Sequence, residues 1–205
     1  MDYKKDFKEY YVPKKIEIID IPRMSFFMID GQGNPNGKDF AQVVGALYSL
    51  AYAVKMSPKK NAAPDGYFEY TVFPLEGVWD LTNLGKTMAE LDKNQLVYNM
   101  MIRQPDFVTP DYARQMIEQV KKSKPNQKLD GVRFESTTEG LCAQMMHIGP
   151  YDDEPASFTR MEEFTKQSGF FRLNKTHREI YLSDPRKVDP QKMRTVLRFK
   201  IQKIG

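Results

Sequence analysis

The sequence contains few of the residues that form disulfides or bind metal ions. Among 205 residues there is one cysteine, Cys142, and there are two histidines, His147 and His177. A single cysteine cannot form an internal disulfide, which agrees with a reducing compartment. No third ligand stands at a recognised spacing from the two histidines, so no zinc site is predicted. We therefore expect a protein without a metal or another cofactor.

Segments that would direct the chain to or through a membrane are also lacking. No apolar run is long enough to cross a bilayer. The N-terminal stretch MDYKKDFKEYYVPKK has no apolar core of the kind found in signal peptides. These absences predict a cytoplasmic protein that has no contact with a membrane.

The charge is mildly positive and is spread along the chain. Lysine and arginine number 31 against 27 aspartate and glutamate residues, which gives a net charge of +4. Nucleic-acid-binding proteins concentrate such charge on one face. The one short run, Lys121 to Lys128, stands at a helix exit, where cations complement the helix dipole. The sequence thus argues against direct binding of nucleic acid.

Common phosphate-binding and nucleophile motifs are missing as well. The loop GQGNPNG, from Gly31 to Gly37, lacks the lysine and serine that end a phosphate-binding loop. Its glycine spacing also differs from that of a dinucleotide fingerprint. No G-x-S-x-G elbow is present to hold a serine nucleophile. We interpret the glycine loop as a turn.

A duplicated pattern is the main feature that the sequence does contain. The first half holds SFFMIDGQGNPNGKDFAQVVGALYSLAYAV, YFEYTVFPLEG and QLVYNMMIRQ, and the second holds LCAQMMHIGPYDDEPASFTRMEEFTKQSGF, THREIYLSDP and MRTVLRFKIQ. Each set is typical of a strand, a glycine loop, a helix, a strand and a strand. The pattern predicts an α+β fold, in which a tandem repeat of two strand-helix-strand-strand units forms a pseudo-two-fold domain with a central ligand cleft.

The length favours one domain over two independent ones. We expect a single domain over residues 1–205. Repeat one is expected at about 16–104, a bridging helix at about 109–124, and repeat two at about 132–204.

Periodicity and composition predict the individual elements. Helices are expected at Lys38 to Met56, Tyr112 to Lys122 and Glu154 to Gln167. Strands are expected at Ile16 to Ile21 (ended by Pro22), Met24 to Ile29, Tyr67 to Leu75, Gln95 to Ile102, Arg178 to Leu182 and Arg194 to Ile201. Glu76 and Gly77 are expected to end the strand that starts at Tyr67, which leaves Trp79 on a loop.

Side-chain alternation suggests which residues share a face. If Phe68 to Val72 is superposed on Arg178 to Leu182, one face of each strand is apolar. The other face carries Glu69, Thr71 and Phe73 in one copy and Glu179, Tyr181 and Ser183 in the other. A carboxylate among aromatic rings is the composition expected for binding flat or cationic organic molecules.

The motifs PLEGVW (Pro74 to Trp79), HIGPYDDEPASF (His147 to Phe158) and HREIYLSDP (His177 to Pro185) resemble those of the DNA gyrase inhibitor-like small-molecule-binding family. The resemblance covers nearly the whole chain from about Lys15. It implies that Glu179, in the last hairpin, lies in an aromatic cleft and meets the ligand. Some stand-alone members that resemble this chain hydrolyse strained cyclopropane rings in DNA-alkylating natural products.

The candidate catalytic residues are therefore Glu179 and Tyr181. Burial would raise the pKa of a pocket glutamate and let it take a proton from water near neutral pH. The candidate ligand-binding residues are Glu69, Phe73, Trp79, Tyr98 and Tyr151. Five of these residues have an alternative interpretation: the two glutamates as surface carboxylates, Trp79 and Tyr98 as core residues, and Tyr151 as a packed turn residue.

Two classes of function remain open at this point. The chain is expected to bind hydrophobic or cationic aromatic small molecules and protect the cell from them, either by capturing or sensing them or by hydrolysing electrophilic rings. A weaker alternative is a factor that inhibits an enzyme such as gyrase by binding it. Apart from its small-molecule ligand, the protein is expected to be a monomer or a weak homodimer.

Overall fold

The structure, a computed structural model, describes residues 1–205 and mixes helices with strands throughout. The α-helices are α1 (Tyr3–Asp6), α2 (Lys8–Tyr11), α3 (Lys38–Lys55), α4 (Pro110–Ser123) and α5 (Glu154–Gln167). The strands are β1 (Glu17–Gln32), β2 (Leu75–Leu81), β3 (Leu96–Gln104), β4 (Arg133–Ile148), β5 (Phe170–Arg172), β6 (His177–Tyr181) and β7 (Arg194–Lys203). The expected mixture of helix and sheet is confirmed. None of the helices combines the length and apolar character needed to span a membrane.

The chain divides into two compact units. The first consists of Met1 and Met24–Thr137, and the second of Asp2–Arg23 and Thr138–Gly205. Both β1 and β4 contribute residues to each unit.

In the first unit, β3 is the central strand. It pairs antiparallel with β1, from Ser25 opposite Gln104 to Gln32 opposite Val97. It also pairs antiparallel with β2, along the whole of that strand. Helix α3 packs against β3 and α4. Its buried residues follow the helical spacing that predicted it, and they are Val43, Ala46, Leu47, Leu50, Ala51 and Val54.

The strand predicted at Tyr67 to Leu75 is wrong. Residues 67–74 form no strand, and β2 begins only at Leu75 and runs through Gly77 and Trp79. The aromatic side chains that suggested a strand instead gather around Phe107, since the rings of Tyr67 and Phe68 both lie 5.1 Å from its ring. Aromatic residues favour strands mainly through such packing, so their presence did not require sheet pairing here.

The predicted stop at Pro22 is also wrong. Strand β1 continues through Pro22 as one 16-residue strand. Its pairing with β3 starts only at Ser25, so the missing N–H of proline leaves that ladder intact.

Two glycines in the first unit make room for large side chains. A Cβ on Gly31 would lie 2.3 Å from the ring of Tyr98, the residue opposite it on β3. A Cβ on Gly77 would lie 2.7 Å from Met100 Sδ and 2.8 Å from Trp79 Nε1. Both positions therefore require glycine, because any side chain there would overlap a neighbouring residue of the sheet. Gly77 lies within β2 and not in the turn that was expected.

In the second unit, β7 is the central strand. It pairs antiparallel with β4, from Cys142 opposite Lys200 to Ile148 opposite Arg194, and with β6, from Arg178 opposite Arg198 to Tyr181 opposite Thr195. The short strand β5 pairs with its last residues. The buried core of this unit comprises Ala143, Met145, Met161, Leu197, Phe199 and Ile201, of which Met161 belongs to α5.

A buried ion cluster joins three strands of the second unit. Glu139 on β4 accepts from Arg178 Nε on β6 at 3.1 Å and from Arg198 NH1 on β7 at 3.2 Å. Its side chain is only 8% exposed. Burial opposes ionisation of Glu139, but the two guanidinium groups outweigh it and hold its pKa below the ordinary value of 4.5.

We expect Gly31→Ala to destabilise the protein by about 1–3 kcal/mol, because the added methyl group must displace the Tyr98 ring. Urea unfolding measures the effect. Gly131→Ala is the matched control, since a Cβ there meets nothing within 4 Å. Equal stability of the two variants would contradict the close approach.

We expect Glu139→Gln to cost about 3–5 kcal/mol at neutral pH, because two guanidinium groups would lose their buried counter-charge. The exposed Glu118, 3.5 Å from Lys121 on α4, provides the control Glu118→Gln, which should cost less than about 1 kcal/mol.

The effect of Glu139→Gln should also depend on pH. Since the pKa of Glu139 is lowered by folding, its contribution is complete above pH 4.5 and is lost as the pH falls below that value. The urea midpoints of wild type and Glu139→Gln, measured at several pH values, should therefore converge in acid. A constant difference would show that charge is not the cause.

Candidate functional site

One face of β6 carries three polar side chains. His177, Glu179 and Tyr181 alternate with Arg178 and Ile180, whose residues are 5% and 0% exposed. Because β6 pairs with β7 from Arg178 to Tyr181, and His177 is the first residue of the same strand, the alternation places the three side chains on one side. The face predicted for Glu179 and Tyr181 is confirmed, and the structure adds His177 to it.

Glu179 is the centre of the hydrogen bonds on this face. Tyr181 donates its hydroxyl proton to Glu179 Oε2 at 2.8 Å. His177 Nε2 lies 3.1 Å from Glu179 Oε1. The glutamate side chain is 12% exposed, so it is largely removed from water without being sealed off.

Two contacts orient the His177 ring against Glu179. Its Nδ1 lies 3.2 Å from the carbonyl oxygen of Lys175, which can only accept, so Nδ1 is the donor of that hydrogen bond. This contact directs the other ring nitrogen, Nε2, towards Glu179 Oε1.

The turn before α5 brings a second carboxyl group to this site. His147 is buried, with Nδ1 2.9 Å from Ser157 Oγ and Nε2 3.0 Å from the Pro150 carbonyl oxygen. Gly149 adopts a φ of 138°, which is strained for any other residue. These features reverse the chain after β4 and set Glu154 as the first residue of α5.

Glu154 is buried on the side of α5 that faces Glu179, because the ring contacts on either side of it, Tyr151 with Tyr181 and Phe158 with His177, align this turn with β6. The residue is 5% exposed, and its Oε1 atom is buried with no donor within hydrogen-bond distance. Burial, the negative charge of Glu179 and a hydrogen bond with the Glu179 carboxyl group together raise the pKa of Glu154 to about 10. Its surroundings therefore favour the protonated form, although a helix N-terminus ordinarily favours the carboxylate.

Aromatic rings line the same group of carboxyls. The Tyr151 ring meets the Tyr181 ring edge-on, with 6.0 Å between centroids. Partial burial and the charges of Glu179, Glu154 and Asp184 raise the pKa of Tyr151 to about 12, so its hydroxyl group remains a donor. The Phe158 ring, one turn after Glu154 on α5, packs against His177 with 4.7 Å between centroids. We call Tyr151, Glu154, His177, Glu179 and Tyr181 the carboxyl cluster.

Three further ligand-binding candidates lie in the first unit. Trp79 and Tyr98 are each 5% exposed, and their rings lie 5.3 Å apart. Both rings also contact Phe40, at 5.9 and 5.2 Å. Phe73 is 1% exposed and has the Arg103 guanidinium group 4.8 Å from its ring centroid. All three side chains are packed within the first unit.

Glu69 belongs to the first unit and lies at the surface. Its side chain is 76% exposed and forms an ion pair with Lys55. The Tyr67 hydroxyl donates to it at 3.3 Å. Since residues 67–74 form no strand, the superposition that matched Glu69 with Glu179 is wrong.

Two members of the carboxyl cluster were not among the predicted site residues. His177 could have been found, because it has the same strand parity as Glu179 and Tyr181. Glu154 stands in the motif YDDEP after two other acidic residues, and no sequence pattern distinguishes the buried one. No group of three His, Cys, Asp or Glu side chains is arranged to hold a metal ion.

Comparisons with known proteins agree with this fold and motif set. The family model for the GyrI-like small molecule binding domain matches residues 14–202. A crystal structure of a hydrolase from Listeria innocua is 37% identical with a TM-score of 0.89, and the match covers 98% of this chain and 100% of that chain. A crystal structure of an uncharacterized conserved protein from the same organism is 38% identical with a TM-score of 0.91, at 98% and 100% coverage.

A more distant structure shares the fold alone. The C-terminal domain of EcmrR is 13% identical with a TM-score of 0.54, and the match covers 93% of this chain and 98% of that domain. A search of curated proteins finds no match. The family match and the two Listeria structures, which extend over nearly the entire chain, establish that this protein belongs to the GyrI-like small molecule binding domain family.

Proposed function

We propose that the carboxyl cluster binds hydrophobic or cationic aromatic small molecules and opens strained electrophilic rings by hydrolysis. The observation that carries this proposal is Glu179, held by Tyr181 and His177 and largely shielded from water. The similarity to a Listeria protein described as a hydrolase supports it. Such an activity would protect the cell from reactive aromatic compounds.

The geometry suggests a role for each group. The Glu179 carboxylate can orient a water molecule and take its proton as that water attacks a ring carbon. Tyr151 and Tyr181 present aromatic faces that would hold a planar compound next to it. The Tyr181 hydroxyl group has one proton, which it donates to Glu179 in the free protein, and it can donate that proton instead to an oxygen on which charge develops.

Capture without chemistry is the second candidate function. It is favoured by the aromatic rings themselves, because a cation is attracted to their faces and to a nearby carboxylate whether or not a reaction follows. Trp79 and Tyr98 of the first unit are each 5% exposed and pack against Phe40, so they do not enter the proposal. Glu69 and Phe73 contact protein groups of their own unit and do not enter the proposal.

The duplicated sequence pattern suggests a common origin for the two halves of the chain. Each unit has a central strand, β3 or β7, that pairs antiparallel with the strand before the helix and with the strand after it. We propose that the strand-helix-strand-strand segments at about 16–104 and 132–204 are copies of one ancestral segment.

A spirocyclopropyl cyclohexadienone is a simple substrate for testing the hydrolysis. Wild-type protein should convert it to the hydroxyethyl phenol, detected by mass spectrometry as the gain of one water. Glu179→Gln should lower kcat/KM by about 10²-fold or more, because the variant cannot take the proton. Tyr181→Phe should lower it by a smaller factor.

Glu163→Gln is the control, since Glu163 is an exposed residue of α5 and the change removes the same charge from the same unit. Turnover by Glu179→Gln at the wild-type rate would contradict the hydrolytic role. Binding of the aromatic cation rhodamine 6G, without turnover of the cyclopropane by the wild type, would favour capture.

A further inference from the structure

We propose that Glu154 and Glu179 form a carboxyl pair that shares one proton, and that this pair is both the acid and the base of the ring opening. The inference rests on the hydrolysis proposed above and adds a residue to it. In the simpler scheme Glu179 acts alone, whereas here Glu154 supplies the proton that the product needs.

The surroundings of Glu154 make the shared proton the favoured state. Its carboxyl group is buried, and Oε1 has no donor in reach, so nothing compensates a second negative charge there. The Glu179 carboxyl group, by contrast, receives the Tyr181 hydroxyl and faces His177 Nε2. The charge therefore resides on the Glu179 side of the pair and the proton on the Glu154 side.

The charged and titratable groups around Glu154 come from several parts of the chain. Glu179 and His177 belong to β6, and Tyr181 extends that face. Tyr151, Asp152 and Asp153 precede Glu154 in the turn, and Asp184 follows β6. Two of the neighbouring groups can become cations: His177 lies against Glu179, and His147 of β4 contacts Ser157 Oγ and the Pro150 carbonyl oxygen. The carboxyl groups near Glu154 disfavour its ionisation.

The pair can give and recover a proton within one reaction. The water oxygen bonds to a methylene carbon of the cyclopropane while the bond from that carbon to the spiro carbon breaks. The electron pair of the broken bond moves through the dienone to its carbonyl oxygen, which takes the proton of Glu154 and becomes a phenol oxygen. The two carboxylates left together are strongly basic, and they take one proton from the attacking water.

Atoms and charge balance over this cycle. The substrate gains one water in total: its hydroxyl group on the former ring carbon and one proton on the phenol oxygen. The carboxyl pair begins and ends with one proton. No oxidant, metal or cofactor is consumed.

The shared proton can be measured on the free protein without any ligand. Carbon NMR of isotope-labelled glutamate side chains should show one carboxyl group that titrates above pH 7. Glu154→Gln should remove that signal, and Glu179→Gln should lower its midpoint by more than about one pH unit, since it removes the neighbouring charge. Glu163→Gln, on the exposed side of α5, should leave it unchanged.

The pH dependence of urea unfolding provides a second test for the proton on Glu154. Folding raises the pKa of Glu154, so protonation of this carboxyl group stabilises the native state below about pH 4.5. This contribution is lost as the pH rises towards the pKa that Glu154 has in the folded protein. A glutamine at this position does not titrate. The urea midpoint of wild type should therefore fall relative to that of Glu154→Gln between about pH 4 and pH 8.

Turnover of the spirocyclopropyl cyclohexadienone tests the acid role. Wild-type kcat/KM should decline at alkaline pH as the shared proton is lost, whereas Glu154→Gln should be slower by about 10²-fold and should lack that alkaline decline. A wild-type rate and pH profile in Glu154→Gln would overturn the acid role.

The two proposals fail in different ways. If no glutamate titrates above pH 7 in the wild type, or if Glu179→Gln leaves the midpoint unchanged, the shared proton is refuted whatever the activity. If the titration is as expected but the wild type leaves the cyclopropane intact, the pair is supported and the hydrolytic function is refuted.

Discussion

Two carboxyl groups held next to each other, away from most of the solvent, impose the main electrostatic constraint on this protein. Glu154 and Glu179 cannot both carry a full charge at low cost, because like charges in a medium of reduced dielectric repel strongly. Burial and the neighbouring acid therefore favour one shared proton in the pair. The side chains in contact with Glu179 can be understood as the groups that decide where that proton and the remaining charge reside.

The fold maintains this arrangement through two separate elements. Pairing of β6 with β7 directs His177, Glu179 and Tyr181 to one side. The turn at Gly149, held by the buried contacts of His147, starts α5 with Glu154 in its first turn. Beneath them, Glu139 binds arginines of β6 and β7, so the two paired strands are also linked by charge. Backbone pairing and a buried ion cluster of the same unit thus hold the strand that carries Glu179.

The sequence predicted the parts of this site that depend on local periodicity. Helix α5 was expected at Glu154 to Gln167, and that is where it lies. The shared face of Glu179 and Tyr181 followed from alternation along a short strand, and the same rule would have included His177. The resemblance to the family drew attention to Glu179, and the family match then confirmed the membership.

What the sequence could not provide depends on packing between distant residues. Tyr67 to Leu75 has the composition of a strand, but its rings are engaged around Phe107, and the neighbouring segment with Gly77 became β2. The importance of Gly77 lies in the space it leaves for Met100 and Trp79, which no local pattern reports. Likewise, three acidic residues stand together in YDDEP, and only the direction of the first turn of α5 selects Glu154 for burial.

The charge of the cluster bears on the choice between capture and catalysis. The Glu179 carboxyl group receives the Tyr181 hydroxyl proton and contacts His177 Nε2, and burial favours the protonated form of the neighbouring Glu154. A site selected only to retain permanent cations would gain from an uncompensated negative charge, because the attraction to a cation grows with net charge and not with the number of acidic residues. A carboxyl group held by two partners beside a protonated acid is better suited to moving protons to and from an uncharged molecule. This arrangement supports the proposed hydrolysis of a neutral electrophile over the capture of a cation, with the tyrosine rings retaining the aromatic compound while the carboxyl pair acts on it.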